Sequence, residues 1–355
     1  SGLVAGIGLG TARLRAQNPA PPAQQGADEF QRIDAHAHYA GDSPAALRLM
    51  EELNLKALNV VARGRTSVDG SLLASNFREV AQSHPDRFAW CTSIDFPGFE
   101  DADYVGKTIQ QLDEDFRRGA VACKIWKDWG LVLKHPAGGY FMVDDPLLVP
   151  VFRHIEKSVR TLLMHIAEPI AAWQPLDPAG TYYQYYKSNP QYHFYSRKDI
   201  PAHAELLRAR DRVVERHPRL RVVGAHLGSM EYDVAEIARR FDRYPNFFVD
   251  SSGMSRALSF SEQDRGKVRA FFAQYPDRVM FGSDRVARDK LSRMTPEEGE
   301  AFLWELKENV LGTEAFYRSD ATVKLRGRNV HGLGLSPAVM EQLFSANARK
   351  IYPGL

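Results

Sequence analysis

The sequence is poor in cysteine, in one-sided charge and in long apolar runs, and each shortage removes a class of protein. Two cysteines in 355 residues, Cys91 and Cys123, make no disulfide framework. They also lack the spacing of a structural zinc site, so buried free thiols are expected. A formal net charge of +2 gives no general attraction to nucleic acid or to an anionic membrane. No segment offers the roughly 20 apolar residues that cross a bilayer, so stable membrane insertion is not expected. No glycine-rich nucleotide fingerprint follows the first expected strand, which weakens a doubly wound dinucleotide fold. Internal repeats and a second domain are also lacking. What is there is an ordinary globular balance, 44% hydrophobic and 25% charged, long enough for one large core.

The first 28 residues differ from the rest. An apolar, glycine-rich run over 2–10 is followed by Arg13 and Arg15 and then by a Pro/Ala/Gln stretch. This reads as the remnant of a secretory signal, with periplasmic or secreted localisation as the expectation. A flexible cytoplasmic tail is the alternative.

From residue 29 to 355 short apolar runs alternate with longer amphipathic ones, the pattern of βα units around a parallel sheet. Strands are expected over 31–37, 56–62, 87–94, 120–126, 161–166, 221–225, 246–249 and 278–282. Helices are expected between them over 45–53, 72–83, 105–117, 146–158, 202–216, 234–243 and 261–274. Eight strands with seven intervening helices predict an α/β fold of the (β/α)8 TIM-barrel type in a single domain. Further helices over 297–310 and 335–346 are expected to close its bottom or side.

Several helices end on His-Pro or Tyr-Pro just before a strand, as at His84-Pro85 and His217-Pro218. Proline cannot continue the helical hydrogen bonding, so these motifs belong to the bottom face and their histidines to structure. Two insertions belong to the other face. The longer, 167–201, holds Trp173 and seven tyrosines and phenylalanines, and reads as a lid or aromatic wall over a substrate. Packing between loops or subunits is its plainer reading. The shorter insertion spans 130–144.

His36 and His38 carry the strongest chemical signal. Two apart on a strand, they point to one side, and in a barrel that side can be the interior. Two imidazoles there need polar partners or a metal. Asp34 has the same parity and is expected to support the layer below. His165 ends the fifth strand, His226 the sixth and Asp284 the eighth, and strands remote in sequence converge at one face of a barrel. Strand eight closes against strand one, which puts Asp284 beside the histidine pair. Such donors suit one divalent ion, Zn²⁺ first, with Mn²⁺, Fe²⁺ or Co²⁺ acceptable. His36, His38, His165 and Asp284 are read as metal ligands. Asp284 is also read as the acceptor of a proton from water, and His226 as a ligand or as an acid that orients the substrate.

Lys124, on the fourth strand, is read as a cation that binds a substrate carboxylate or steadies an oxyanion. A carboxylated bridge between two metals and a structurally paired lysine, with Lys127 facing in instead, stay open. Arg63, Asp95, Glu168, Trp173 and His193 sit at mouth positions as candidate substrate contacts. His135, His154, His203 and His331 are expected on solvated or helix surfaces.

The segments Ile33-Asp34-Ala35-His36-Ala37-His38, Gly224-Ala225-His226-Leu227-Gly228 and Gly282-Ser283-Asp284, with Lys124, His165 and the closing stretch 336–351, resemble the amidohydrolase superfamily. The likeness is to its amidohydrolase-related branch, amidohydrolase family 2, and covers residues 30–353. The resemblance implies a distorted TIM barrel and a divalent metal. It implies hydrolysis of C–O or C–N bonds, or nonoxidative decarboxylation of an aromatic or unsaturated acid. By this likeness His36, His38, His165 and Asp284 match the mononuclear metal set, His226 the strand-six histidine and Lys124 the strand-four lysine. A small-molecule substrate is expected, and a homo-oligomer is compatible with the reading. A noncatalytic metal-stabilised binding protein is the reading from another class.

Overall fold

The computed structural model describes residues 30–62, 70–95, 98–287 and 289–355. The expected tail over 1–28 lies outside these residues, as does Arg63. Eight parallel strands follow one another in sheet order and in chain order. They are β1 (Arg32–Ala37), β2 (Leu55–Val60), β3 (Phe88–Ser93), β4 (Ala120–Ile125), β5 (Thr161–Met164), β6 (Arg221–Gly224), β7 (Phe247–Asp250) and β8 (Val279–Met280). β8 is short, but the chain around it lies along β1 and nearly closes the barrel. Ala35 N–H donates to Phe281 O at 3.0 Å, Asp284 N–H to His36 O at 2.8 Å and Ala287 N–H to His38 O at 2.9 Å.

The strands separate two apolar regions. Outside, they are packed by helices whose buried stripes recur at helical spacing, such as Tyr104, Thr108, Leu112 and Phe116 on the helix Tyr104–Arg117. Inside, Ile33, Leu58, Cys91, Leu163, Val223 and Met280 fill the bore. Ala348, Ile351 and Tyr352 floor it from below, and each large aliphatic side chain so buried is worth roughly 1.5–3 kcal/mol. Asn347 fastens this floor, donating to Pro276 O and Val279 O at 2.8 Å each.

Where the structure departs from expectation, local chemistry explains it. The helix expected over 261–274 starts only at Arg265 and ends at Gln274, because the Asp264 carboxylate accepts Lys267 N–H and caps it there; a separate helix, Met254–Ser261, precedes it. The last long helix runs Pro296–Arg318, opened by a capping box between Thr295 and Glu298. The helix expected over 335–346 starts at Pro337, passes through a π turn at Gln342–Ala346 and continues to Ile351. An antiparallel hairpin, Thr322–Leu325 with Arg328–His331, was not expected. Its two-residue turn, Arg326-Gly327, has positive φ at both positions, and only the glycine advertises that. No described helix is long and apolar enough to cross a membrane.

His203 corrects the expectation of a solvated surface residue. It is buried at the start of the helix His203–Arg216, edge-on to Trp173 at 5.1 Å. Burial pushes its imidazole down to about 4. The unfolded chain takes this proton near pH 6.5 and the folded chain only near 4, so stability is full above 6.5 and falls as pH drops toward 4. The loss is at most about 3 kcal/mol. Denaturant midpoints at pH 7 and pH 4.5 should therefore lie closer together in His203→Gln than in the parent. Equal spacing in the two proteins would show that His203 does not carry this loss.

Candidate metal centre and active site

β1 carries a bulge. Asp34 stands opposite Ala57 and Ala37 opposite Asn59, so three residues of β1 advance against two of β2. The extra residue re-aims the strand. Asp34 thereby leaves the parity of His36, which corrects the expectation that it supports the layer below. Its carboxylate instead accepts Ser283 N–H at 2.8 Å and His36 N–H at 3.2 Å, tying β1 to the turn after β8. Burial pushes Asp34 up to about 7, against the pull of these hydrogen bonds.

Second partners fix both imidazoles of the His-x-His pair. His36 Nδ1 lies 2.9 Å from Asp250 Oδ2 and His38 Nδ1 lies 2.6 Å from Val60 O. A carboxylate and a carbonyl only accept, so each Nδ1 carries the proton and each Nε2 presents a lone pair. This is how a metal-binding histidine is oriented. His38 Nε2 is 3.6 Å from Asp284 Oδ1. The ligand atoms of His36, His38 and Asp284 lie within 4.8 Å of one another, as do those of His36, His226 and Asp250. His36 is pushed down to about 4, by burial first and by the charge of Lys124 next, so it is neutral at pH 7 as a ligand must be. The donor set and its fixed tautomers fit a divalent ion.

The strand ends hold these groups at a backbone cost. His226, Leu227 and Ser229 all have φ near +58°, and Asp284 has φ of +52°. Side-chain-bearing residues rarely adopt such values, and clusters of them mark functional sites. Asp250 offsets part of the cost: its Oδ1 accepts His226 N–H at 2.8 Å and Ser252 N–H at 3.2 Å. Burial works to raise Asp250, but His36, the Ser252 hydroxyl and the His226 N–H outweigh it and hold the carboxyl low. Gly282 allows the close approach. A Cβ there would lie 2.8 Å from Ser252 Cβ and 2.9 Å from His36 Cβ.

His226 stacks on His36 with centroids 4.9 Å apart, and its Nδ1 meets Ser252 Oγ at 2.7 Å and Asp284 Oδ2 at 4.0 Å. His165 stands edge-on to His226 at 4.5 Å, and its buried Nδ1 has no hydrogen-bond partner among the described residues. Burial pulls both well below the usual histidine value. Lys124 points inward. Its Nζ lies 2.9 Å from His36 Nε2, so the ammonium faces the lone pair that an ion would take. Burial lowers it to about 8, with Asp250 and Asp284 working against that. Asp284 is held well below the usual carboxylate range, since His38, His36 and Arg256 outweigh its burial.

Lys127 is buried as well, so the two lysines do not divide into one inward and one outward. It pairs with Glu168 and sits 3.5 Å from the centre of the Tyr192 ring. This pair fastens the aromatic insertion to the strand-four end. Within that insertion Trp173 donates to Pro201 O at 3.1 Å and His193 meets Gln174 O at 3.0 Å, so both hold the loop to itself. Asp95 is half-buried after β3, where its backbone carbonyl accepts the Tyr104 hydroxyl at 2.6 Å. Of the expected ligands, His36, His38 and Asp284 fall in one donor group and His165 in neither; Glu168, Trp173, His193 and Asp95, expected as substrate contacts, lie outside both.

Sequence reasoning missed Asp250, Ser252 and Arg256. Asp250 had a signal: a carboxylate ending the apolar run Phe247-Phe248-Val249. Arg256 had a faint one, a lone charge in the otherwise uncharged helix Met254–Ser261.

A sequence model of the amidohydrolase family, Amidohydro_2, matches residues 33–354. The chain belongs to that family. This amidohydrolase-family chain matches no curated protein by sequence. It shares its fold with an uncharacterized TIM-barrel protein from Bordetella bronchiseptica, at 17% identity and a TM-score of 0.50 over 92% of this chain and 99% of that one. A structure named amidohydrolase II gives 16% and 0.51 over 90% and 99%. A 2,6-dihydroxybenzoate decarboxylase, complexed with 2,6-dihydroxybenzoate, gives 16% and 0.50 over 90% and 98%. At these identities the likeness concerns the barrel alone.

The Lys127–Glu168 pair allows a direct test of how the insertion is held. Lys127→Met leaves a buried carboxylate alone and should cost about 3–5 kcal/mol, read from denaturant midpoints. Adding Glu168→Leu should recover most of the loss. A single variant as stable as the parent would mean the pair is not buried in solution.

Proposed function

We propose that the protein is a metal-dependent hydrolase acting on an ester, lactone or amide carbon. The observation that carries this reading is the pair of imidazoles whose Nδ1 protons are fixed by Asp250 and Val60, leaving two lone pairs beside Asp284. His36, His38 and Asp284 would hold the ion, Zn²⁺ by preference, with His165 as the fourth donor. When bound, such an ion supplies Lewis acidity and eases the deprotonation of water.

The chain's own groups do the rest. Asp284, ionised and a third exposed, accepts the proton of the attacking water on its free oxygen. His226, kept neutral by burial, gives its Nδ1–H to Ser252, whose own hydroxyl donates to Asp250, so its Nε2 lone pair would serve as a ligand or accept a hydrogen bond from the attacking water. Lys124 is still mostly protonated at pH 7, and its ammonium stabilises the oxyanion that develops. Lys124 now faces His36 Nε2 at 2.9 Å; with that lone pair given to a metal, its ammonium would be free to meet the substrate. The aromatic insertion, tied down by Lys127 and Glu168, walls the site and excludes bulk water.

Nonoxidative decarboxylation of a carboxylic acid is the second reading. It is favoured by the inward cations Lys124 and Arg256, which suit a substrate carboxylate.

Metal analysis coupled to a screen of lactones, esters, amides and aromatic acids, reading both hydrolysis and carbon dioxide release, separates the two. Chelation should abolish turnover and one of Zn²⁺, Mn²⁺, Fe²⁺ or Co²⁺ should restore it; turnover that survives complete chelation would refute both readings. Asp284→Asn should lower kcat by about a hundred- to ten-thousand-fold, the range of a lost acid–base group. His38→Ala should purify with less metal than the parent. Carbon dioxide release without hydrolysis would select the second reading.

A further inference from the structure

Arg256 is a charge that the described chain does not neutralise by contact. It is buried in the first turn of the helix Met254–Ser261. Among the described residues its hydrogen bond runs from Nη1 to Ser255 Oγ at 3.0 Å, and its buried Nε has no partner there. Asp284 and Glu231 act on the guanidinium only at longer range. Guanidinium groups lose much when withdrawn from water, and buried ones are normally paired with a carboxylate. An unpaired one beside a reaction centre is a site built for an anion that arrives from outside.

Four further features converge there. The helix that carries Arg256 has no side-chain cap at its N-terminus; the Arg256 N–H is given to Gly253 O at 2.9 Å, while those of Met254 and Ser255 have no backbone partner among the described residues. The residue at that cap is Gly253, with φ of +84°. A Cβ on it would lie 3.7 Å from both Arg256 Nη1 and Asp284 Oδ2, so this backbone position borders the guanidinium and the carboxylate alike. Residues 253–255 and Asp284 are partly exposed, which gives a ligand access. The Tyr182 ring lies 5.6 Å from the guanidinium carbon and supplies an aromatic flank from the insertion.

We infer that Arg256 and the helix N-terminus beneath Gly253 form the anion subsite of this centre, and that the substrate carries a carboxylate which docks there. The planar guanidinium fork matches a carboxylate in two-point geometry. Placed beside Asp284, that contact orients the substrate with respect to the reacting groups. The inference rests on the proposed reading of this centre as the place of reaction, but its test does not depend on turnover.

The test is binding of benzoate and of its neutral isostere benzamide to the metal-loaded full-length protein, by ligand-detected NMR titration. Benzoate should bind at least ten-fold more tightly than benzamide. Arg256→Met should weaken benzoate by about ten- to a hundred-fold, as expected for a charge-assisted pair, and leave benzamide unchanged. Arg256→Lys keeps the charge but not the fork and should fall between, which guards against a variant that merely fails to fold. The preference for benzoate should persist after chelation. Equal binding of the two probes, benzoate binding untouched in Arg256→Met, or loss of the preference on chelation would each overturn the assignment. If turnover survives chelation while arginine-dependent benzoate binding persists, the metal reading fails and the subsite stands.

Discussion

Asp250 reaches three parts of the barrel top at once. One oxygen receives the imidazole of His36 from β1; the other receives the backbone N–H of His226 after β6 and that of Ser252 beyond β7. A buried carboxylate is tolerable only when its lone pairs are filled, and here every bond that fills them also positions a functional group. The left-handed turn at His226 and the tautomer of His36 both rest on this one side chain. The site is therefore less a set of ligands than a hydrogen-bonded frame with lone pairs left facing inward.

Most of the architecture was legible in the sequence because the repeating signal is strong. Strand runs such as Ala120–Ile125 and helix stripes such as that of Tyr104–Arg117 report burial directly. The convergence of His36, His38, His226 and Asp284 followed from strand-end positions alone. Three things were not legible. The bulge in β1 depends on pairing with β2, and alternation within β1 gives no hint that Asp34 changes side. Asp250 and Arg256 act through partners brought together only by closure of the barrel. His203 looked like a helix-surface histidine because its cover, Trp173, comes from an insertion whose path no periodicity describes.

The aromatic insertion shows how a long loop can be made rigid without regular structure. Short helical turns at Ile170–Trp173, Tyr183–Ser188 and Pro190–Tyr192 are pinned by side-chain bonds at Trp173 and His193 and by the Lys127–Glu168 pair. The ammonium of Lys127 against the Tyr192 face adds a contact that strengthens as water is excluded.

The floor of the barrel has a consequence for how the molecule assembles. A chain grown as far as Met280 already contains all eight strands, yet Ile33, Leu58, Leu163 and Val223 would still line a bore open to water at its lower end. Ala348, Ile351 and Tyr352, which seal it, lie more than three hundred residues after the first of those side chains. Contacts of such separation form late, because a long loop must close before they repay its entropy. The order in which the chain is made and the order in which it becomes watertight are thus opposite at this end. The strand that carries the histidine pair comes first of the eight in the chain, yet the lower end of its inner face is covered by the last helix.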